Sequence, residues 1–312
     1  MDTMAREIQR GSFKMLNLMI DLLILLIIVS MIAFAGYSLW DSNQVYKAAD
    51  KSQYERYKPS ALDEGKSFEE LQKINPEVIA WLTVYGTNID YPVTQGENNM
   101  KYVNTDAEGQ FSLSGAIFLD SNNSSNFKDF NNIFYGHHME KQAMFGEIET
   151  FSKKGTFDSH RYGNLYFNGK DHGVEFFAFV HTDAYNRQVF TPNVTEEKQG
   201  YLDNLMTIAT HKRELGVSIE DNLVLLTTCS SSSTNGRDIL VGRLTDDVFE
   251  DTFLAGNIGE GREVLRVDGH YVSQREIYIS ILGAVLLAFV ITIVAYYVAE
   301  NRGRRESKWK EE

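Results

Sequence analysis

Two long apolar runs, one near each end, decide most of what this chain can fold into. Residues 15–36 (MLNLMIDLLILLIIVSMIAFAG) are broken by few polar residues, notably Asn17 and Asp21, and residues 277–298 (IYISILGAVLLAFVITIVAYYV) carry no charge. About 20 helical residues at ~1.5 Å each cross a hydrocarbon core of roughly 30 Å, so both runs read as transmembrane helices. Their outer flanks are basic: Arg6, Arg10 and Lys14 precede the first, and Arg302, Arg304, Arg305, Lys308 and Lys310 follow the second. By the positive-inside tendency, both termini are cytoplasmic and residues of about 37–276 lie outside. Ala33-Phe34-Ala35 also has the small-x-small form of a signal cleavage site, but the apolar stretch is longer than a usual signal core and favours an uncleaved anchor.

The segment between the runs is long enough for one domain with a sizeable core. It holds 36 acidic residues against 22 basic ones, which argues against binding nucleic acid or anionic lipid through a broad basic face. The chain has a single cysteine, Cys229. An exported domain with one cysteine has no internal disulfide, so its thiol is either useful or a liability.

The chain divides into a cytoplasmic N-terminus (1–14), a span (15–36), a helical stalk and linker (37–74), a β-rich domain (75–250), a juxtamembrane segment (251–276), a second span (277–298) and a cytoplasmic tail (299–312). Residues 37–60 have helical spacing and stop at Pro59; Phe68–Ile74 form a short amphipathic helix ended by Asn75-Pro76. Then come short runs rich in Ile, Val, Phe and Tyr: VIAWLTVYG, NIDYPV, GAIFLD, NNIFYGH, NLYFN and VEFFAFVHTDA. Such runs, split by turn residues, predict a mainly β barrel or sandwich. One helix is inserted over 195–214, with Thr195 as N-cap, Gly216 at its stop, and Tyr201, Leu205, Ile208 and Ala209 on one face. LVLLTTC (223–229) and DILVGRL follow as closing strands, joined by a flexible serine loop, SSSSTNG (230–236).

Three groups suited to acyl transfer stand in this region: Cys229 at the end of its strand, Arg237 eight residues on, and the glycine-flanked pair His137-His138 upstream. A thiolate is the nucleophile, and a free thiol with a pKa of roughly 8.5 is only slightly ionised near neutrality. A histidine can take or return the proton, and an arginine can stabilise an oxyanion. An antiparallel return of the next strand would set Arg237 beside Cys229. His138 is a rival base and Arg243 a rival cation, although Arg243 lies six residues further along its strand. His160, His172, His181, His211 and His270 lack the spacing of metal ligands, so neither a metal nor a cofactor is expected.

Residues 75–245 resemble the class B sortases of Gram-positive bacteria. The resemblance rests on AWLTVYGTNIDYPVTQGENN (80–99), NNIFYGHHMEKQAMFGEI (131–148), and LLTTC followed by RDILVGRL (237–244), in that order with the helix between the second and third. It implies a sortase-type closed β-barrel and a transpeptidase that cuts a sorting signal in a secreted protein. The acyl group would then pass to an amine of a cell-wall precursor or a pilin lysine. It further implies His137, Cys229 and Arg237 as catalytic residues, with Tyr135, Asn99, Val103 and Thr227 on the sorting signal. One departure stands out: many members carry an acid just after the cysteine, whereas Ser230 to Ser233 follow here. A second span is commoner among pilin-polymerising sortases, which points to a pilin. Papain-like proteases place cysteine before histidine, and the Ser-His-Gly-Cys type motif of L,D-transpeptidases is absent around Cys229. A hydrolase without transfer activity and a non-catalytic tethered module are the remaining alternatives.

Overall fold

The computed structural model describes residues 2–60, 65–254, 266–267 and 270–271, with side chains from Phe13 to Leu254 within these ranges apart from Lys14. The expected second span, 277–298, and the tail beyond it lie outside the described residues. Two compact units divide the chain, Met1–Phe253 and Leu254–Glu312. In the second, the described elements are two short antiparallel strands at Arg266–Val267 and His270–Tyr271.

The first unit opens with α1 (Asp2–Ala48), an unbroken helix of 47 residues. Its apolar side chains from Met15 to Trp40, among them Leu16, Leu23, Leu26 and Phe34, are exposed. From Met15 onward it is long and apolar enough to cross a membrane. The helix stops at Ala48 rather than near Pro59, because residues 51–53 and 55–57 tighten into 3₁₀ turns and Asp50 caps the first by accepting from the Ser52 N–H. There Ala49, Tyr54 and Tyr57 turn inward and join the core of the domain. The short helix α2 (Lys66–Ile74) follows, burying Phe68 and Leu71 and ending at Asn75.

Nine strands form one sheet: β1 (Val78–Val84), β2 (Asp90–Thr94), β3 (Ile117–Leu119), β4 (Asn131–Tyr135), β5 (Tyr162–Phe167), β6 (Lys170–Asp183), β7 (Ala209–Lys212), β8 (Asn222–Cys229) and β9 (Gly236–Thr245). The order is β5-β1-β2-β3-β4-β8-β9-β6-β7, and β5 also pairs with β6, which closes eight strands into a barrel and leaves β7 as an appendage. Two neighbouring pairs, β2–β3 and β4–β8, are parallel, and the others are antiparallel. Closure removes the free edges except where β6 extends past β5. A short helix, α3 (Lys154–Ser159), precedes β5 after a 3₁₀ turn at Gly146–Ser152.

The inserted helix differs from expectation at both ends. Helix α4 spans Lys198–Ile208, not 195–214, and Glu197 rather than Thr195 occupies its N-cap with a left-handed φ of 56°. Residues from Ala209 leave the helix because β6 extends past β5 and offers an open edge, and β7 pairs there with Ala178–Val180. A backbone ladder outcompetes the helical spacing of that segment. Tyr201, Leu202 and Leu205 are the buried face of α4.

Two cores result. The larger draws side chains from every barrel strand, including Trp81, Phe134, Phe176, Val224, Leu226 and Leu240. The smaller lies beneath α4 and contains Leu223, Leu225, Ile239 and Val241. The two-residue period of a strand explains the division: even positions of β8 point into the barrel and odd ones toward α4.

Leu226 and Cys229, three residues apart on β8, therefore face opposite costs. Leu226 is fully buried, so Leu226→Ala should cost about 2–5 kcal/mol. Cys229 is exposed, and Cys229→Ala should change stability by less than ~1 kcal/mol. Chemical denaturation of the full chain, followed by fluorescence, measures both.

Candidate active site

Strand register builds the site. Along β4 and β8 the parallel pairing runs from Asn131 opposite Leu223 to Tyr135 opposite Thr227, and the Gly136 N–H extends it by donating to the Thr227 carbonyl at 3.2 Å. Two residues further along each chain come His137 and Cys229. On the other side β9 returns antiparallel, and its register puts Arg237 directly opposite Cys229. Opposed residues on adjacent strands are roughly 5 Å apart. Imidazole, thiol and guanidinium thus stand on three neighbouring strand ends at one rim.

Cys229 and Arg237 also share a face. Cys229 continues the odd row of Leu223 and Leu225, and Arg237 continues that of Ile239 and Val241, both rows lying under α4. Asn131, two steps of two before Tyr135, donates to the Tyr201 hydroxyl of α4 at 3.1 Å. His137 lies two residues past Tyr135, beyond the end of β4. Gly136 is required just before it, because a Cβ there would sit 2.6 Å from the Phe145 ring.

Burial holds the His137 pKa below the ordinary histidine value, which favours the neutral imidazole. Arg237 donates to the Gly236 carbonyl at 2.9 Å. No carboxylate lies within ion-pairing distance of it among the described residues, so its charge is available to a ligand. Its rival Arg243 is committed elsewhere: Nη2 and Nε lie 2.8 and 3.0 Å from the buried Glu175 carboxylate, which Arg161 also binds. Arg243 stands opposite Leu223, at the far end of β8 from Cys229. The rival base His138 has its Nε2 3.2 Å from Glu149 Oε2.

The residues expected on the sorting signal separate into two sets. Tyr135 and Asn99 converge on Asp120 Oδ2, at 3.0 and 2.8 Å, and Ser121 N–H donates to Asn99 Oδ1 at 2.7 Å. Burial and Asp120 push the Tyr135 phenol well above its usual pKa, against an opposing pull from Arg237. Val103 is half-buried against the core, and Thr227 is 1 % exposed, its Oγ1 without a partner. Tyr135 and Asn99 therefore belong to a polar network beside the rim, and Val103 and Thr227 to its packing.

The serine loop carries its own bonds where the sequence reads a flexible connection. Ser230 N–H donates to the Gly236 carbonyl at 2.9 Å, Gly236 N–H to Ser233 at 3.2 Å, and Ser230 and Ser232 hydroxyls lie 2.9 Å apart. Sequence reasoning missed Asp120 and Glu149, which bind site residues from distant segments. Asp120 ends the run GAIFLD, a faint signal; nothing in spacing links Glu149 to the cysteine.

No family model matches the chain. The sortase B of Staphylococcus aureus is 32% identical over 184 residues, covering 57% of this chain and 74% of that protein. The chain belongs to the sortase B family. Among solved structures, sortase B from the type II pilus of Streptococcus pneumoniae is 43% identical, with a TM-score of 0.51 over 58% of this chain and 99% of that one. A class B sortase involved in pilus biogenesis in Streptococcus pyogenes is 37% identical, with a TM-score of 0.54 over 58% and 99%. Sortases are cysteine transpeptidases, and this sortase B is accordingly an acyl-transfer enzyme.

The lowered His137 pKa has a signed consequence for stability. Unfolding exposes the ring and restores its ordinary pKa, so between the lowered value and roughly 6.5 the unfolded chain binds more protons. Stability therefore falls as pH drops through that window. His137→Asn should flatten the fall in melting temperature between pH 7 and 5, about the interval in which histidines titrate; an unchanged slope would show that His137 does not contribute.

Proposed function

We propose that this sortase B is anchored in the cell membrane with its catalytic domain outside and cleaves a sorting signal in a secreted protein through a thioacyl-enzyme on Cys229. The register that sets His137, Cys229 and Arg237 on adjacent strand ends carries the reading. His137 takes the Cys229 thiol proton, the resulting thiolate attacks the scissile carbonyl, and the Arg237 guanidinium donates to the oxyanion that develops. Being permanently charged, it serves only as donor and fixed positive charge. As the tetrahedral intermediate collapses, the C–N bond breaks and His137 gives the leaving amine its proton. An acceptor amine then attacks the thioester, His137 takes its proton, and the thiolate leaves.

The acceptor is an amine of a cell-wall precursor or a pilin lysine. The pilus assignments of the streptococcal relatives favour the pilin. Tyr135, Asn99, Val103 and Thr227 line or shape the path of the sorting signal, with the Asp120 network giving polar contacts beside the rim. Both termini are cytoplasmic, with spans at 15–36 and 277–298. The exposed apolar surface of α1 supports the first of these.

Trapping the acyl-enzyme in cells tests the chemistry. Mass spectrometry should find Cys229 carrying a protein truncated at its sorting signal, and Cys229→Ala should carry none. A released product ending in a free carboxylate instead of an amide would reduce the enzyme to a hydrolase. His137→Ala should slow transfer at least roughly 100-fold, the scale of a general acid–base group, with His138→Ala costing far less.

Protease added to intact cells tests the topology. It should cut within residues of about 37–276 and spare tags at both ends. An accessible C-terminal tag would overturn the two-span arrangement.

A further inference from the structure

The backbone pairing that brings the site together stops short of it. The last paired residues of β4 and β8 are Tyr135 and Thr227, and Gly136 makes the last backbone bond between the two segments. Arg237 is locked to Cys229 by the β8–β9 ladder. His137 has no such lock, because its own carbonyl is taken by the Phe145 N–H at 3.0 Å.

One side chain bridges that gap. Ser231, two residues past Cys229, donates its hydroxyl to Glu149 Oε1 at 2.5 Å. The other oxygen, Oε2, lies 3.2 Å from Nε2 of His138, the residue after His137. The remaining ring nitrogen of His138, Nδ1, is buried without a partner, so Glu149 is the polar contact that orients this ring. Glu149 itself stands on a firm base. It lies in the 3₁₀ turn Gly146–Ser152, between Ile148 and Phe151, both fully buried in the main core. Hydroxyl-to-carboxylate bonds are short and charge-assisted, and they fix geometry more strongly than neutral ones.

We propose that Glu149 is a positioning residue for acyl transfer. Its carboxylate clamps the loop that follows Cys229 to the turn that carries His137. The proposal rests on the roles given above to Cys229 and His137. Both chemical steps pass a proton through His137 while a bond to the Cys229 sulfur forms or breaks, so each depends on a fixed spacing of sulfur and ring. Displacements of about 1 Å are enough to slow such steps roughly 100-fold.

The test uses the full-length chain as wild type, Glu149→Ala, Glu149→Gln, Ser231→Ala and the double variant Glu149→Ala/Ser231→Ala. The first readout is the fraction of Cys229 acylated in cells. Glu149→Ala and Ser231→Ala should each lower it by roughly 10- to 100-fold, with melting temperatures unchanged. Combining them should add nothing to the effect of Glu149→Ala, which already removes the Ser231 contact. Glu149→Gln, whose amide oxygen still accepts from Ser231, should recover most of the loss.

The second readout is the rate of Cys229 alkylation by iodoacetamide at neutral pH, which reports this site alone because the chain has no other cysteine. It should fall in the two alanine variants, as the thiol loses its ordered neighbours, and stay near wild type in Glu149→Gln. Equal rates in all variants, additive effects, or identical behaviour of the Gln and Ala variants would overturn the clamp. A wild type that never acylates but shows the expected alkylation pattern would instead sink the transpeptidase reading and leave the clamp standing.

Discussion

The parallel pairing of β4 with β8 is the constraint on which the rest of the site depends. In an antiparallel pair, consecutive strand ends fall at opposite rims. A parallel pair puts both carboxyl ends at the same rim, but it needs a long crossover between them. Here the crossover is residues 136–221, which supply β5, β6, α4 and β7 before β8 begins. That excursion explains how a histidine and a cysteine far apart in sequence become neighbours. It also explains why α4 covers the same face: the crossover must pass over the outside of the barrel to reach β8.

The two arginines of β9 show how the fold separates structure from chemistry on one strand. Arg243 and Arg161 both bind the buried carboxylate of Glu175, and an ionised carboxylate that deep requires such partners. At the other end of β9, Arg237 is held by a backbone carbonyl. The first arginine is consumed by desolvation costs within the protein. The second keeps its charge for whatever enters the rim.

Much of this was legible in the sequence. Short apolar runs split by turn residues located β1 to β6, β8 and β9 to within a few residues, and the single cysteine closing LVLLTTC marked one strand end. The eight-residue step to Arg237 implied a tight antiparallel return, and the register bears that geometry out. Local patterns failed where long-range pairing decided the outcome. Ala209–Lys212 reads as helix until the spare edge of β6 is available, and Glu197 in a left-handed conformation starts α4 later than Thr195 would. Glu149 and Asp120 were missed as site residues because their partners come from other segments, Ser231 for Glu149 and Asn99 and Tyr135 for Asp120. The serine run after Cys229 gave no hint that a carboxylate would reach it from another segment.

The junction at Ala49 gives the molecule a mechanical property. Helix α1 runs without interruption from its apolar stretch to Ala48, and the next carbonyl, of Ala49, accepts the Tyr91 hydroxyl at 2.9 Å. That same hydroxyl accepts from Met144 N–H at 3.1 Å, within the segment that folds back onto His137. Helix, barrel wall and histidine turn are thereby pinned at a single phenol. The helix is then a lever arm rather than a slack tether, and residues 37–48 alone extend it by about 18 Å. In the membrane-anchored arrangement proposed above, tilt or rotation of the arm would carry the rim with it. Under that proposal, helix geometry rather than diffusion of a linker would set the height and heading of the thiol.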